Sequence, residues 1–106
     1  MLAPIAGPAV PKLMQRLDDS QMGYMAARAL GAIGPTANRS IPRLIIALRR
    51  DHSLARMEFV TALGKFGPEA REAVPDLIAL AHDPDPNVKK AAGAALLGIE
   101  PEMVMP

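Results

Sequence analysis

The chain reads as an all-α protein in which about three helix pairs stack as a solenoid, and three features of its sequence say so. The first is an internal repeat. Gly-Pro pairs stand at Gly7-Pro8, Gly34-Pro35 and Gly67-Pro68, with Glu100-Pro101 as an altered fourth; the last three are 33 residues apart and the first two 27. Periods in this range mark stacked supersecondary units, none of which can bury its apolar face alone. The second feature is register. Leu30, Leu63 and Leu96 coincide, as do Ile33, Phe66 and Ile99, and Leu13-Met14, Leu44-Ile45 and Leu77-Ile78 each follow a proline by two residues. The third is composition. Half of the 106 residues are hydrophobic, mostly Ala, Leu, Ile, Val and Met, and the aromatics are Tyr24, Phe59 and Phe66. Small aliphatic side chains suit closely packed helices, and no stretch alternates as a strand would.

The first repeat, about residues 8–34, is short in two places: four residues are missing between Pro8 and Pro11, and two more in the Asp18–Gln21 turn. Ahead of it, residues 2–6 match the end of a repeat's second helix, with Ile5 near the place of Ile33; a leader without structure is the competing reading. The first helix is expected to start near Pro11, where a missing N–H costs nothing. It presents Val10, Leu13, Met14 and Leu17 at helical spacing. Asp18-Asp19-Ser20 ends it and supplies a cap for the next helix. That helix, about Gln21 to Ile33, is expected to bury Met22, Ala26, Ala29, Leu30 and Ile33. Gly34-Pro35 stops it, since Gly takes the left-handed conformation at a helix end and Pro cannot continue.

Repeat two, about 35–67, follows the same plan. Thr36–Ser40 reads as a turn, Ile41, Leu44, Ile45 and Leu48 line a helix to about Arg50, and Asp51-His52-Ser53 forms a corner. Ala55, Phe59, Ala62, Leu63 and Phe66 then share one face of a second helix. Repeat three, about 68–100, opens with Glu69-Ala70-Arg71-Glu72 and lines its first helix with Val74, Leu77, Ile78 and Ala81. Asp83-Pro84-Asp85-Pro86 is a rigid turn, because Pro disfavours the helical conformation in the residue before it. Either Asp can cap the last helix, which buries Val88, Ala92, Ala95, Leu96 and Ile99. Residues 101–106 form a tail whose Met103, Val104 and Met105 either fold back as a cap or mark a docking end.

These phrases resemble the HEAT-like repeats, in particular the bacterial type related to phycobilisome lyases that carries A-L-G-x-I-G-P-x-A-x-x-A-V-P-x-L-I. The residues concerned are Ala29 to Pro35, Ala62 to Ala70, and Ala73-Val74-Pro75-Asp76-Leu77-Ile78; Asp85-Pro86-Asn87-Val88-Lys89 matches the family's D-P-x-V-R turn. The likeness covers about residues 5 to 101. Departures are Phe66 for Ile, Lys89 for Arg, Ala81 for Leu, and Gly23 where repeat one should have Arg. The resemblance implies a right-handed α–α superhelix (an armadillo-like solenoid) with the second helices on its concave side. It also implies an Asp–Arg ladder between repeats, retained here at most around Asp51/Arg56 and Asp83/Asp85/Lys89. The first repeat is therefore expected to be the loosest.

Function follows from what the surface offers. The net charge of +1 supplies no field for nucleic acid, whose binders carry clustered basic surface. There is no Cys, no apolar run near the length of a membrane span and no signal-peptide pattern, so a cytoplasmic protein is expected. Catalytic, cofactor and metal sites are expected to be absent. Relatives that bind iron use His-Glu pairs, whereas His52 precedes Ser53 and His82 precedes Asp83. Asp51, His52 and Ser53 are consecutive in a turn and cannot converge as a triad does. The expected activity is non-enzymatic protein binding, or scaffolding, along the second-helix face: Tyr24, Met57 and Lys90 in one row, Arg28 and Thr61 in the next, flanked by Glu58 and Lys65. The competing view of these residues is an ordinary solvated face. Arg39, Arg43, Arg49, Arg50 and Arg56 crowd the middle repeat; they either meet an acidic or phosphate surface or form the solvated side of a helix. The alternatives are an accessory protein like the chromophore lyases or isomerases of the family, and nucleic-acid binding. The apolar ends leave self-association open.

Overall fold

The structure, a computed structural model, describes residues 3–19, 22–50 and 56–101, with side chains from Pro8 onward. Among these residues, α1 (Ala3–Arg16), α2 (Gly23–Ile33), α3 (Ile41–Arg50), α4 (Arg56–Lys65), α5 (Val74–Leu80) and α6 (Pro86–Ile99) follow in order, and there is no strand. Helices pair as α1 with α2, α3 with α4 and α5 with α6. The pairs then stack through their second members, α2 along α4 and α4 along α6. This is the all-α, HEAT-like arrangement expected of the repeat.

Glycine chemistry sets both the helix ends and the stacking distance. Gly34 and Gly67 end α2 and the α4 segment with φ of 79° and 69°, a region closed to most side chains. The Gly34 N–H returns to the Leu30 carbonyl, satisfying one of the helix's orphan acceptors. Inside the helices, other glycines let backbones touch. A Cβ on Gly31 would stand 2.9 Å from the Ala62 Cα, and one on Gly64 would stand 2.8 Å from the Ala95 Cα. Small residues on both sides thus bring the second helices to their closest approach.

Under this seam lies one apolar core. Leu30, Leu44, Leu63, Phe66, Leu77 and Ile99 are essentially shielded from solvent. The one buried polar side chain among the described residues, Ser40, donates its hydroxyl to the Ala37 carbonyl at 2.7 Å, so its burial leaves no unpaired group. At the corners Asp19 Oδ1 accepts from the Met22 N–H at 2.9 Å, and Asp85 Oδ1 from the Asn87 N–H at 2.8 Å. Asp85 thus caps α6 as expected, whereas Asp19 closes the turn ahead of α2, whose N-cap residue, Met22, makes no side-chain cap bond.

Several expectations need correction. Gly7-Pro8 does not stop a helix: α1 runs from Ala3 through Pro8 and Pro11 to Arg16, so residues 3–6 are neither a separate helix end nor an unstructured leader. The missing residues explain this. Six residues lie between Pro35 and Pro42 and between Pro68 and Pro75, where a 3₁₀ connector forms; the two residues between Pro8 and Pro11 leave no room for one. The connectors themselves, Gly34–Ser40 and Gly67–Ala73, are 3₁₀ helices and not plain turns, each broken at a fully buried alanine, Ala37 or Ala70.

Met22 and Ile78, expected in the core, are 40% and 39% exposed. Ala29, Ile33, Leu13, Met14 and Ala81 are only half buried. A helical stripe is fully buried only where neighbours stack on both sides. Ile45 has them; Ile78, one repeat later, stands on the last described first helix. The expected second-helix start at Gln21 is replaced by Gly23. Asp51, His52, Ser53, Ala55, Met103, Val104 and Met105 lie outside the described residues.

Candidate protein-binding surface

Because α2, α4 and α6 lie side by side, residues 33 apart fall into rows across the stack. In the first predicted row Tyr24 is 37% exposed, Met57 is half buried and Lys90 is exposed. In the second, Arg28 and Thr61 are both exposed. The row residues therefore sit on adjacent helices with polar tips in water and Met57 recessed between them.

Arg28 is not a free cation. Its guanidinium donates to both oxygens of Glu58, at 2.9 Å from Nη2 and 3.5 Å from Nε. The Glu58 hydrogen bond, and after it the Glu58 charge, push the Arg28 pKa above its ordinary value. The flanking Glu58 was legible in the sequence, but its role as a clasp between α2 and α4 was not.

The arginines of the middle repeat behave as links. Arg49 forks onto Asp76 at 2.9 and 3.0 Å, and Arg56 meets Asp83 at 3.1 Å. Arg43 and Arg50 both reach back toward Asp18, at 3.8 and 3.7 Å. Asn38 joins Glu69 at 3.0 Å, and Arg71 joins Glu100 at 3.1 Å. The cluster that looked like a phosphate-binding surface is thus largely neutralised by carboxylates of neighbouring repeats. The expected ladder survives as Arg56–Asp83, joining the two sets of residues named for it.

A further feature escaped sequence reasoning. Between α1 and α2, Ala9, Leu13, Met22, Met25 and Ala26 line a groove of about 340 Å³, with Lys12 and Arg16 at its rim. The signal in the sequence was the pair Met22 and Met25 at the start of α2, of which Met22 was assigned to the core.

No group of three or more potential metal ligands occurs among the described residues, and no described helix is long and apolar enough to cross a membrane. His82 Nδ1 lies 2.9 Å from the Ile78 carbonyl, where as a donor it satisfies an acceptor at the end of α5.

A family model described as HEAT repeats matches residues 10–97, the span over which the three helix pairs stack. The chain belongs to the HEAT repeat family. No curated protein and no solved structure matches it. HEAT repeats are typically protein-interaction scaffolds. In a HEAT array of this kind the solvent side of the second helices is a continuous surface, because the Gly–Ala seams leave no gap between them.

Proposed function

We propose that this HEAT repeat chain is a non-enzymatic, cytoplasmic protein-binding module that engages a partner protein along the rows Tyr24, Met57, Lys90 and Arg28, Thr61. The observation that carries the reading is the placement of Tyr24, Met57 and Lys90 at equivalent positions of three directly stacked helices. Tyr24 is the anchor, since a part-exposed tyrosine offers a large contact area at little entropic cost. Met57 forms an adaptable floor beside it. Thr61 supplies a hydroxyl, Lys90 a cation, and Arg28 a guanidinium hydrogen-bonded to Glu58. The A-L-G-x-x-G-P phrase supports placing the chain in the bacterial, lyase-like branch of the family, with no catalytic role attached.

The purified chain used as bait in lysate of its source organism tests this, beside a Tyr24→Ala, Met57→Ala, Lys90→Ala variant of equal helicity. A protein retained by the native chain and lost by the variant supports the reading. Equal retention by both, or by neither, contradicts it.

A further inference from the structure

At the α1 end of the stack no described helix covers the outer side of α2. Met22 and Met25 are 40% and 46% exposed there and form the floor of the groove between α1 and α2. The array itself shows what shape covers such a side. Met25 stands 33 residues before Glu58, and Ala29 stands 33 before Ala62. On α4 those two positions are covered by a helix: α2 lays Arg28 on Glu58 and Gly31 on Ala62. On α6, Ala95 is covered in the same way by Gly64 of α4. The groove continues an interface that is closed, twice over, by a helix lying alongside.

Its chemistry differs from that of the inner junctions. Where α4 offers the carboxylate of Glu58, α2 offers Met25. The charges at the rim, Lys12 and Arg16, are both positive and have no ion-pair partner among the described residues. A covering helix with a cation at the place of Arg28 would meet two like charges and no acid.

A second copy of this chain fits poorly. Stacked head to tail, it would bring Leu97 to the seam, because Leu97 stands 33 residues after Gly64. At the two existing seams even a single added Cβ comes within 2.9 Å of the facing alanine Cα. Packed face to face, two copies would oppose Lys12 and Arg16 to themselves, and like-charge juxtaposition is costly at an interface.

We infer that this groove docks an amphipathic helix of a partner protein, with an apolar stripe on the Leu13, Met22 and Met25 floor and acidic side chains opposite Lys12 and Arg16. Helix-in-groove recognition sets apolar anchors at i, i+3 or i+4 and i+7, and methionine side chains repack around them. The groove is separate from the Tyr24 strip and does not depend on it.

Fluorescence anisotropy with two short labelled peptides tests the inference. Both carry one leucine stripe at helical spacing; one is filled out with Glu and Ala, the other with Lys and Ala. The Leu/Glu peptide should bind saturably, more weakly as salt rises, and about tenfold or more tighter than the Leu/Lys peptide. Met25→Glu, at an exposed position and checked for native helicity, should weaken it at least about tenfold. Lys12→Glu with Arg16→Glu should reverse the preference, and Tyr24→Ala should leave it unchanged. Equal binding of both peptides, saturable binding of neither, or binding that survives Met25→Glu would overturn the inference. So would a native chain that dimerises with concentration in sedimentation and returns to monomer on Met25→Glu, since that assigns the groove to a second copy.

Discussion

Between α2 and α4, Gly31 leaves room for the Ala62 Cα at 2.9 Å from where its own Cβ would be; between α4 and α6, Gly64 does the same for Ala95 at 2.8 Å. At the backbone the two junctions are one design used twice. Their side chains differ. The later junction is tied by Arg56 and Asp83, 3.1 Å apart and each under one-fifth exposed, 19% and 18%. The earlier one relies on Asp18, 59% exposed and shared between Arg43 and Arg50 at 3.8 and 3.7 Å, and on the exposed Arg28–Glu58 clasp. The cause is local. Gly23 occupies the place of Arg56, and a Cβ there would meet the Leu17 carbonyl at 2.9 Å. The corner before it is two residues shorter, so the end of α1 crowds the start of α2. The shortened corner thus leaves no room for a side chain where the later repeat carries Arg56.

The largest expected effect contrasts equivalent core residues. Phe66, 2% exposed, should cost about 3–5 kcal/mol when changed to Ala. Ile33, its half-buried counterpart, should cost under about 2 kcal/mol on the same change. Urea unfolding followed by circular dichroism measures both, and equal losses would erase the contrast.

Next comes the charged tie. Asp83 accepts from Arg56 and from the Asp85 N–H, so Asp83→Ala should cost about 2 kcal/mol. Asp18→Ala should stay within about 0.5 kcal/mol of the parent and be insensitive to added salt once mutated. An Asp18 loss as large as that of Asp83 would mean that exposure does not distinguish the junctions.

The seam gives a test of sign. Alanine in place of helical glycine is worth about 1 kcal/mol in propensity. At Gly64 the added Cβ meets backbone, and overpacking of about 1–3 kcal/mol should win, leaving a net loss near 1 kcal/mol. At Gly93 nothing lies within 4 Å, so Gly93→Ala should gain about 0.5–1 kcal/mol. Two gains would show that the helices are not held at contact distance.

The 33-residue period carried much of this structure in plain view. Leu30, Leu63 and Leu96 fall in register because each repeats one environment, and all three are buried. Gly34 and Gly67 read as helix ends for a stereochemical reason that holds in any context. Gly7 read the same way and was not one, because the connector that should follow it is missing. Met22 and Ile78 misled for a different reason: a hydrophobic stripe does not record whether a neighbour covers it. The candidate strip was legible as positions, since Tyr24, Met57 and Lys90 share a register. Its clasps were not, because pairs such as Arg28–Glu58 and Arg49–Asp76 span 30 and 27 residues and depend on rotamers that only the packed helices select.

The first junction also bears on the proposed binding, because both the Tyr24 strip and the Met25 groove would use α2, whose ion pair to α4 is the solvent-facing Arg28–Glu58 contact. Native-state hydrogen exchange, resolved by residue, tests this asymmetry most directly. The α2 amides should exchange through openings that cost clearly less free energy than those exposing α4 and α6, with Asp83→Ala lowering α6 toward α2. Uniform protection across the three second helices, or α6 opening before α2 in the unmodified chain, would contradict it.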